Sequence, residues 1–241
     1  MLHFLSNIEP KVAILAFFSI LPWGFFLVAL HPTKLQRKIV ISFIALLLGV
    51  LSTELILRAH PIIWPEIDFK PKKNATILTQ TVYISFIQAG MMEETFKELF
   101  ILLFGLIAAF RYSSKEWQKE IVLIGGFVAL GFSLIENYHY IGKDSSKVYT
   151  MFIGRTIFSS NIHLLINLCF SLFLLKSNFQ TQFRDKLIII FYGYFLAVMQ
   201  HGVVDFFLLP GSRFGNWLST AMFVGIWVWV VRDLRTYVFR K

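Results

Sequence analysis

The sequence predicts an all-α membrane protein, a polytopic bundle of seven to eight transmembrane helices. Of its 241 residues, 56% are hydrophobic and 15% are charged, a balance typical of a chain embedded in a bilayer. The apolar residues fall in long runs, and about 20 apolar residues suffice to cross a hydrocarbon core. Seven or eight such helices use most of the chain, so we expect residues 1–241 to form a single integral membrane domain.

Candidate membrane-spanning segments alternate with short polar connections. They cover residues 12–31, 39–57, 75–110, 121–141, 150–175, 187–209 and 216–233. The segment 75–110 is too long for one ordinary crossing, since its helix would extend about 54 Å against a hydrocarbon core of about 30 Å. It therefore either breaks near Gly90, which gives eight spans, or protrudes from the bilayer.

The stretch from His60 to Asn74 is predicted to be an interfacial loop. It contains three prolines and three lysines, and proline removes hydrogen bonds from a helix.

Charge predicts the orientation and argues against a nucleic-acid partner. The net charge is +9, but the basic residues lie in short connections, where they meet the headgroups of the lipid bilayer. Ten Lys and Arg residues fall in segments 111–120, 176–186 and 232–241, against three in 142–149 and 210–215. Because positively charged loops stay in the cytoplasm, we expect a multi-pass protein of the cell membrane with a cytoplasmic C-terminus.

Four charged residues interrupt the third apolar segment. Glu93, Glu94, Lys97 and Glu98 lie within six positions, and at about 100° per residue they share one face of a helix. An ionisable residue at the centre of a span costs about 2.5 to 3.5 kcal/mol on insertion scales, and such residues usually face a cavity and mark function. The alternative is a charged turn at the membrane interface, where a span begins.

Polar residues in three later segments weaken that alternative. Glu136 and Asn137 share a face of one segment, His163 lies within a polar stripe on the next, and His201 and Asp205 are one turn apart on a third. Measured along helices from the predicted cytoplasmic ends, these segments place their polar residues about 20 to 26 Å into the membrane. Glu94 has a similar depth. We therefore expect these side chains to meet in the outer half of the bilayer.

Such a cluster suits hydrolysis by two routes that the residues leave open. Glu93 or Glu94 can serve as general base beside Lys97, while His163, His201 or Asn137 stabilises an oxyanion. Alternatively, His163, His201 and Glu94 supply the ligands of a divalent metal such as zinc, with an open position for water. HExxH, GxSG and GxGD motifs of other intramembrane proteases are missing from the sequence.

The motifs resemble those of the PrsW family of membrane proteases. Residues 93–97, Glu-Glu-Thr-Phe-Lys, look like its EExxK motif, and Glu136-Asn137 is similar to its glutamate–asparagine segment. His163 and the His201-to-Asp205 segment look like its later histidine motifs. The resemblance runs from about residue 90 to 206, within a motif-bearing core of about 76–209.

The resemblance implies a bacterial inner- or plasma-membrane protease. Its substrate would be a membrane-anchored protein, and the family is associated with site-1 cleavage of anti-sigma factors. Two departures from the related CAAX protease and bacteriocin-processing proteins argue against prenyl-protein processing: the second motif ends in Glu136 rather than histidine, and Glu98 replaces an arginine.

Two rival interpretations remain open from the sequence. A proton- or ion-coupled transporter also uses intramembrane carboxylates and histidines, although no internal repeat of the kind common in transporters is evident. A scaffold without catalytic function would use the polar stripes to hold its helices together. It would tolerate glutamine at positions 93 and 94.

Overall fold

A computed structural model describes residues 9–63 and 77–239, and these ranges are almost entirely helical. The helices, in chain order, are α1 (Pro10–Leu30), α2 (Leu35–Ile63), α3 (Ile77–Val82), the π-helix π1 (Tyr83–Met91), α4 (Met92–Ala108), α5 (Glu120–Gly142), α6 (Val148–Gly154), π2 (Arg155–Ser159), α7 (Ser160–Ser177), α8 (Phe183–Leu208), α9 (Arg213–Leu234) and π3 (Arg235–Phe239). The all-α prediction is confirmed.

Six helical paths in the described ranges are long and apolar enough to cross a bilayer: Pro10–Leu30, Leu35–Ile63, Glu120–Gly142, Val148–Ser177, Phe183–Leu208 and Arg213–Phe239. They correspond to six of the seven segments predicted from the sequence, with ends that agree to within a few residues. Their lipid-facing surfaces are apolar, since Phe25, Trp217 and Val228 are each more than half exposed. This is the surface expected of a multi-pass membrane protein.

Within the remaining predicted segment, residues 77–108 form one continuous helical path through α3, π1 and α4. Of the two alternatives, a break near Gly90 is absent, because π1 ends at Met91 and α4 begins at Met92 without a turn between them. The path changes its hydrogen-bonding pattern instead of reversing direction, as π-helical turns within α-helices do. The described residues therefore favour seven crossings over eight.

The first four residues of the interfacial loop predicted for 60–74 are helical. Helix α2 continues through His60 and Pro61 to Ile63, and residues 64–74 lie outside the described ranges. Proline at position 61 removes one backbone donor near the end of α2. This costs α2 a single hydrogen bond, and the helix still continues to Ile63.

Helices α5 and α7 form the centre of the bundle. Over an apolar stretch of 18 residues in each span, 78% of the residues are buried in α5 and 72% in the α6–α7 path. The corresponding fraction is 33% or less in the other four spans. Helix α5 packs against α1, α2, α4 and α7, and α7 also packs against α8. The polar residues on α5 and α7 therefore face protein rather than lipid.

Glycines allow α2 and α5 to approach each other closely. A Cβ atom on Gly49 would lie 2.1 Å from the Val128 carbonyl oxygen, and one on Gly131 would lie 2.0 Å from the Leu46 carbonyl oxygen. Small residues at such positions are a common basis of helix packing in membranes. The contact fixes α5 on one side, so that its other faces meet α4 and α7.

A two-stranded hairpin connects α4 to α5. Strands β1 (Phe110–Arg111) and β2 (Glu116–Trp117) pair in antiparallel register. The Asn178 side chain, which follows α7, accepts a hydrogen bond from the Trp117 backbone N–H and donates one to its carbonyl, both at 2.8 Å. This link holds the hairpin to the same end of the bundle as the end of α7.

Candidate active site

The first turns of α4 place two glutamates and a lysine inside the bundle. The Lys97 Nζ donates to Glu94 Oε1 at 2.6 Å and lies 3.8 Å from Glu93 Oε2. The Lys97 side chain is fully buried and lies over the ring of Phe132, with Nζ 4.2 Å from the ring centroid. A buried ammonium is stable there because a carboxylate and an aromatic face compensate for its lost hydration.

Helix α7 brings a histidine between α4 and α5. His163 Nδ1 lies 3.2 Å from Lys97 Nζ, and His163 Nε2 lies 2.9 Å from Glu136 Oε2. Four residues further along α7, the Asn167 amide donates to Glu94 Oε2 at 3.0 Å. The polar stripe predicted on this segment thus faces the carboxylates of both neighbouring helices.

Helix α8 supplies the second histidine. His201 Nδ1 lies 2.5 Å from Glu94 Oε1, while its Nε2 lies 3.8 Å from Glu93 Oε2 and 3.5 Å from Asp205 Oδ2. The rings of His163 and His201 pack edge to face, with centroids 5.1 Å apart. Four helices therefore meet at one point, as the depth comparison predicted.

Arg155 is a member of this cluster that the sequence interpretation did not place in the site. Its guanidinium forms an ion pair with Glu136, and its Nε donates to Asn137 Oδ1 at 2.7 Å. The sequence signal was its place at the start of the every-fourth-residue polar stripe that includes His163. Its position near the end of the segment concealed its role, because an arginine there can also extend to the membrane surface.

Asn137 lies beside the cluster and holds its surroundings together. Its amide nitrogen donates to Ser19 Oγ at 2.6 Å and to Ser160 Oγ at 2.8 Å. With its oxygen bound to Arg155, the side chain links α1, α5 and α7. Both amide hydrogens are used in these contacts, so Asn137 has none left for an oxyanion.

The two adjacent glutamates differ in their surroundings. Glu94 is fully buried and accepts hydrogen bonds on both oxygens, from Lys97 and Asn167 among others. Glu93 is partly exposed, and its Oε2 accepts no hydrogen bond from any residue in the described ranges. Of these two glutamates, Glu93 is thus the one with an oxygen that no described residue hydrogen-bonds.

The cluster opens toward one end of the bundle. The side chains of Glu93, Glu136, Arg155 and Asp205 are partly exposed, whereas those of Glu94 and Lys97 are inaccessible. The opening lies toward the end of α5 and the start of α6. The outer side chains are thus partly accessible, whereas the inner ion pair and the Oε2 atom of Glu93 are buried.

The residues present fit a metal ion. One ligand atom from each of Glu93, Glu94, His163 and His201 lies within 4.8 Å of the others. Two histidines and carboxylates are a donor set typical of catalytic zinc. His163 is also held by Glu136, in the arrangement by which a carboxylate orients a metal-bound imidazole.

Together the fold and the cluster define a multi-pass membrane protein with a buried glutamate and histidine centre suited to bind a metal ion. Residues 36–231 match the model of the PrsW family intramembrane metalloprotease. The chain belongs to this family, as its motifs predicted.

One curated relative also resembles the chain. Protease PrsW from Clostridioides difficile (strain 630) is 27% identical over 161 residues, which make up 66% of each chain. The chain thus matches just under two thirds of that protein's length. No solved structure matches this chain at a significant level.

Proposed function

We propose that this protein is an intramembrane endopeptidase that hydrolyses a peptide bond of a membrane-anchored protein. The observation that carries the proposal is the convergence of Glu93, Glu94, His163 and His201, with ligand atoms within 4.8 Å of one another inside a helical bundle. Family membership supports the same reaction class. A transporter needs no such convergence of a metal donor set around a lysine–glutamate pair.

In this proposal Glu93 is the general base. Its free Oε2 accepts a proton from a water molecule as the water oxygen bonds to the carbonyl carbon of the substrate. The proton then passes to the nitrogen of the leaving amine as the carbon–nitrogen bond breaks. Glu94 is less suited to this role because its oxygens already bind Lys97, Asn167 and His201.

The neighbouring residues position and polarise the reacting groups. Glu94, His163 and His201 would hold a divalent metal, proposed to be zinc, with Glu93 close enough to share it. When bound, the metal supplies Lewis acidity, which activates water and polarises the carbonyl. Lys97 balances the charge of Glu94, Asp205 faces His201, and Glu136 with Arg155 orients His163.

The proposed substrate is a single-pass membrane protein cut near the outer face of a bacterial inner or plasma membrane. Site-1 cleavage of an anti-sigma factor is a reaction of this kind. The open end of the site faces away from the Lys- and Arg-rich ends of the helices, which supports access from the extracytoplasmic side when the C-terminus is cytoplasmic.

The test is cleavage of a panel of single-pass membrane proteins, including anchored anti-sigma factors, in reconstituted vesicles. We expect the wild type to cut at least one of them, and Glu93→Gln to lower kcat by about 100-fold or more, because general-base catalysis contributes about that much. Chelation should abolish cleavage and zinc should restore it. Glu54→Gln, a matched change at the partly exposed Glu54–Arg58 pair on α2, should leave the rate unchanged.

Cleavage that survives Glu93→Gln, His163→Ala and His201→Ala would contradict the proposal. If these variants lose cleavage but chelators do not affect the wild type, the residues form the hydrolytic centre and no metal takes part.

A further inference from the structure

An apolar groove lies between α4 and α8, on the side of α4 that carries Thr95 and Glu98. Its volume is about 440 Å³, and its walls include Leu99, Leu102, Phe170, Phe191 and Tyr194. Phe191 is mostly exposed, so the groove opens on the lipid-facing side of the bundle. Its apolar walls suit a segment that is itself in the membrane.

The groove also contains a buried carboxyl group without a partner. Glu98 lines the groove and is 2% exposed, yet neither of its oxygens accepts a hydrogen bond from the described residues. A buried polar group without a partner costs about 1 to 3 kcal/mol. Such a residue is costly to keep unless something else binds it.

Charge complementarity indicates what that partner carries. The membrane-embedded cluster has five carboxylates, on Glu93, Glu94, Glu98, Glu136 and Asp205, against the two permanent cations of Lys97 and Arg155. Neither cation donates a hydrogen bond to Glu98. An N–H donor, neutral or cationic, is therefore the group that Glu98 would favour.

The groove is directly connected to the candidate site. Thr95 Oγ1 and the Tyr194 hydroxyl are 2.8 Å apart and join α4 to α8 beside the groove. Glu98 is one helical turn from Glu94, so a helix in the groove would lie beside the catalytic carboxylates. Its neighbouring turn could then enter the site.

We propose that this groove binds the transmembrane helix of the substrate, and that Glu98 pairs with an N–H donor side chain, such as lysine or glutamine, within that helix. The inference rests on the proposed function for its choice of occupant. A substrate helix that lacks the donor leaves Glu98 unpaired, so the groove selects among single-pass proteins by one buried polar contact.

Photo-cross-linking to designed peptides tests this proposal without requiring cleavage. A photoreactive phenylalanine analogue replaces Phe191, and the protein is placed in vesicles with membrane-spanning peptides of about 21 leucine and alanine residues. The peptides differ at one central position, which is leucine, glutamine or lysine. The same analogue at Val228, which is equally exposed on α9, is the matched control.

We expect the glutamine and lysine peptides to cross-link at position 191 about threefold more than the leucine peptide, the scale of one interhelical hydrogen bond in a bilayer. Glu98→Leu should remove this preference, while position 228 should show none. Glu98→Leu should also keep or raise the thermal midpoint, since an unpaired buried carboxyl is removed. Folding of the variant is thereby checked in the same experiment.

Equal cross-linking of the three peptides at position 191 would overturn the proposal and indicate a groove that accepts any apolar chain, including lipid. A preference that persists in Glu98→Leu would overturn the role of Glu98. A peptide preference in a protein that cuts no substrate would support the groove as a helix-binding site and contradict the proposed protease function. Cleavage without any peptide preference would support the protease function and contradict the role of the groove.

Discussion

Glu94 is the residue on which the candidate site depends most. It is fully buried and contacts Lys97, Asn167 and His201 from three different helices. Its partner Lys97 is equally inaccessible. Loss of one member of a buried ion pair is far more costly than loss of both, because the remaining charge has no compensation.

Glu94→Gln should therefore lower both the free energy of unfolding and the cleavage rate, with a stability loss of about 3 to 5 kcal/mol. Adding Lys97→Met should recover much of the stability, since the unpaired ammonium is removed, but none of the activity. Unfolding in detergent with denaturant and cleavage in vesicles measure the two effects separately. A double variant that regains cleavage would exclude Glu94 and Lys97 from the mechanism.

Arg155 should prove necessary for orienting the Glu136–His163 pair. Arg155→Leu removes the guanidinium that pairs with Glu136 and one hydrogen bond to Asn137, and we expect about a tenfold loss in kcat. Arg155→Lys should be intermediate, because an ammonium lacks the planar fork that reaches both partners. Arg58→Leu, at an exposed pair, is the control, and equal rates for Arg155→Leu and wild type would contradict this role.

At the scale of elements, two π-helical turns bring the polar residues into register. An every-fourth-residue stripe in an α-helix drifts by about 40° per step, but π2 (Arg155–Ser159) has wider turns that rotate less per residue. Arg155, Ser159 and His163 consequently all contact Glu136. Segment π1 similarly precedes Glu93 and Glu94 and packs against α8.

The close approach of π1 to α8 should be sensitive to one added side chain. A Cβ atom on Gly90 would lie 2.8 Å from the Val198 carbonyl oxygen, so Gly90→Val should force α8 away and separate His201 from Glu94. We expect a loss of about 1 to 3 kcal/mol in stability together with reduced cleavage. Gly225→Val, where a Cβ would meet nothing within 4 Å, should change neither, and an active, stable Gly90→Val protein would refute the packing argument.

The sequence allowed the helices and most of the cluster to be predicted, because long apolar runs and rare embedded charges are strong signals in a membrane protein. It did not allow the π-helical turns to be predicted, since they depend on packing against neighbouring helices. Of the two alternatives for segment 75–110, the break near Gly90 is excluded for that reason. The different surroundings of Glu93 and Glu94 also depend on tertiary contacts that spacing does not contain.

At the scale of the molecule, a topology of seven crossings predicts that α1 begins and α9 ends on opposite sides of the membrane. A single cysteine, Cys169, is buried in α7, so added cysteines can report the topology with little background. In intact cells, Ser145→Cys in the connection between α5 and α6 should react with an impermeant maleimide, and Thr181→Cys before α8 should not. The opposite pattern would invert the orientation, and with it the side from which the site is reached.

We propose that the glutamates and histidines form one hydrolytic centre. Cleavage rates of wild type, Glu93→Gln, His201→Ala and the double variant, compared in the same vesicles with equal amounts of folded protein, show whether they do. Residues that act as a unit are not additive, so we predict that the double variant loses little more activity than either single variant. Independent, multiplicative losses would contradict a shared centre, as would a cleavage rate that neither substitution changes.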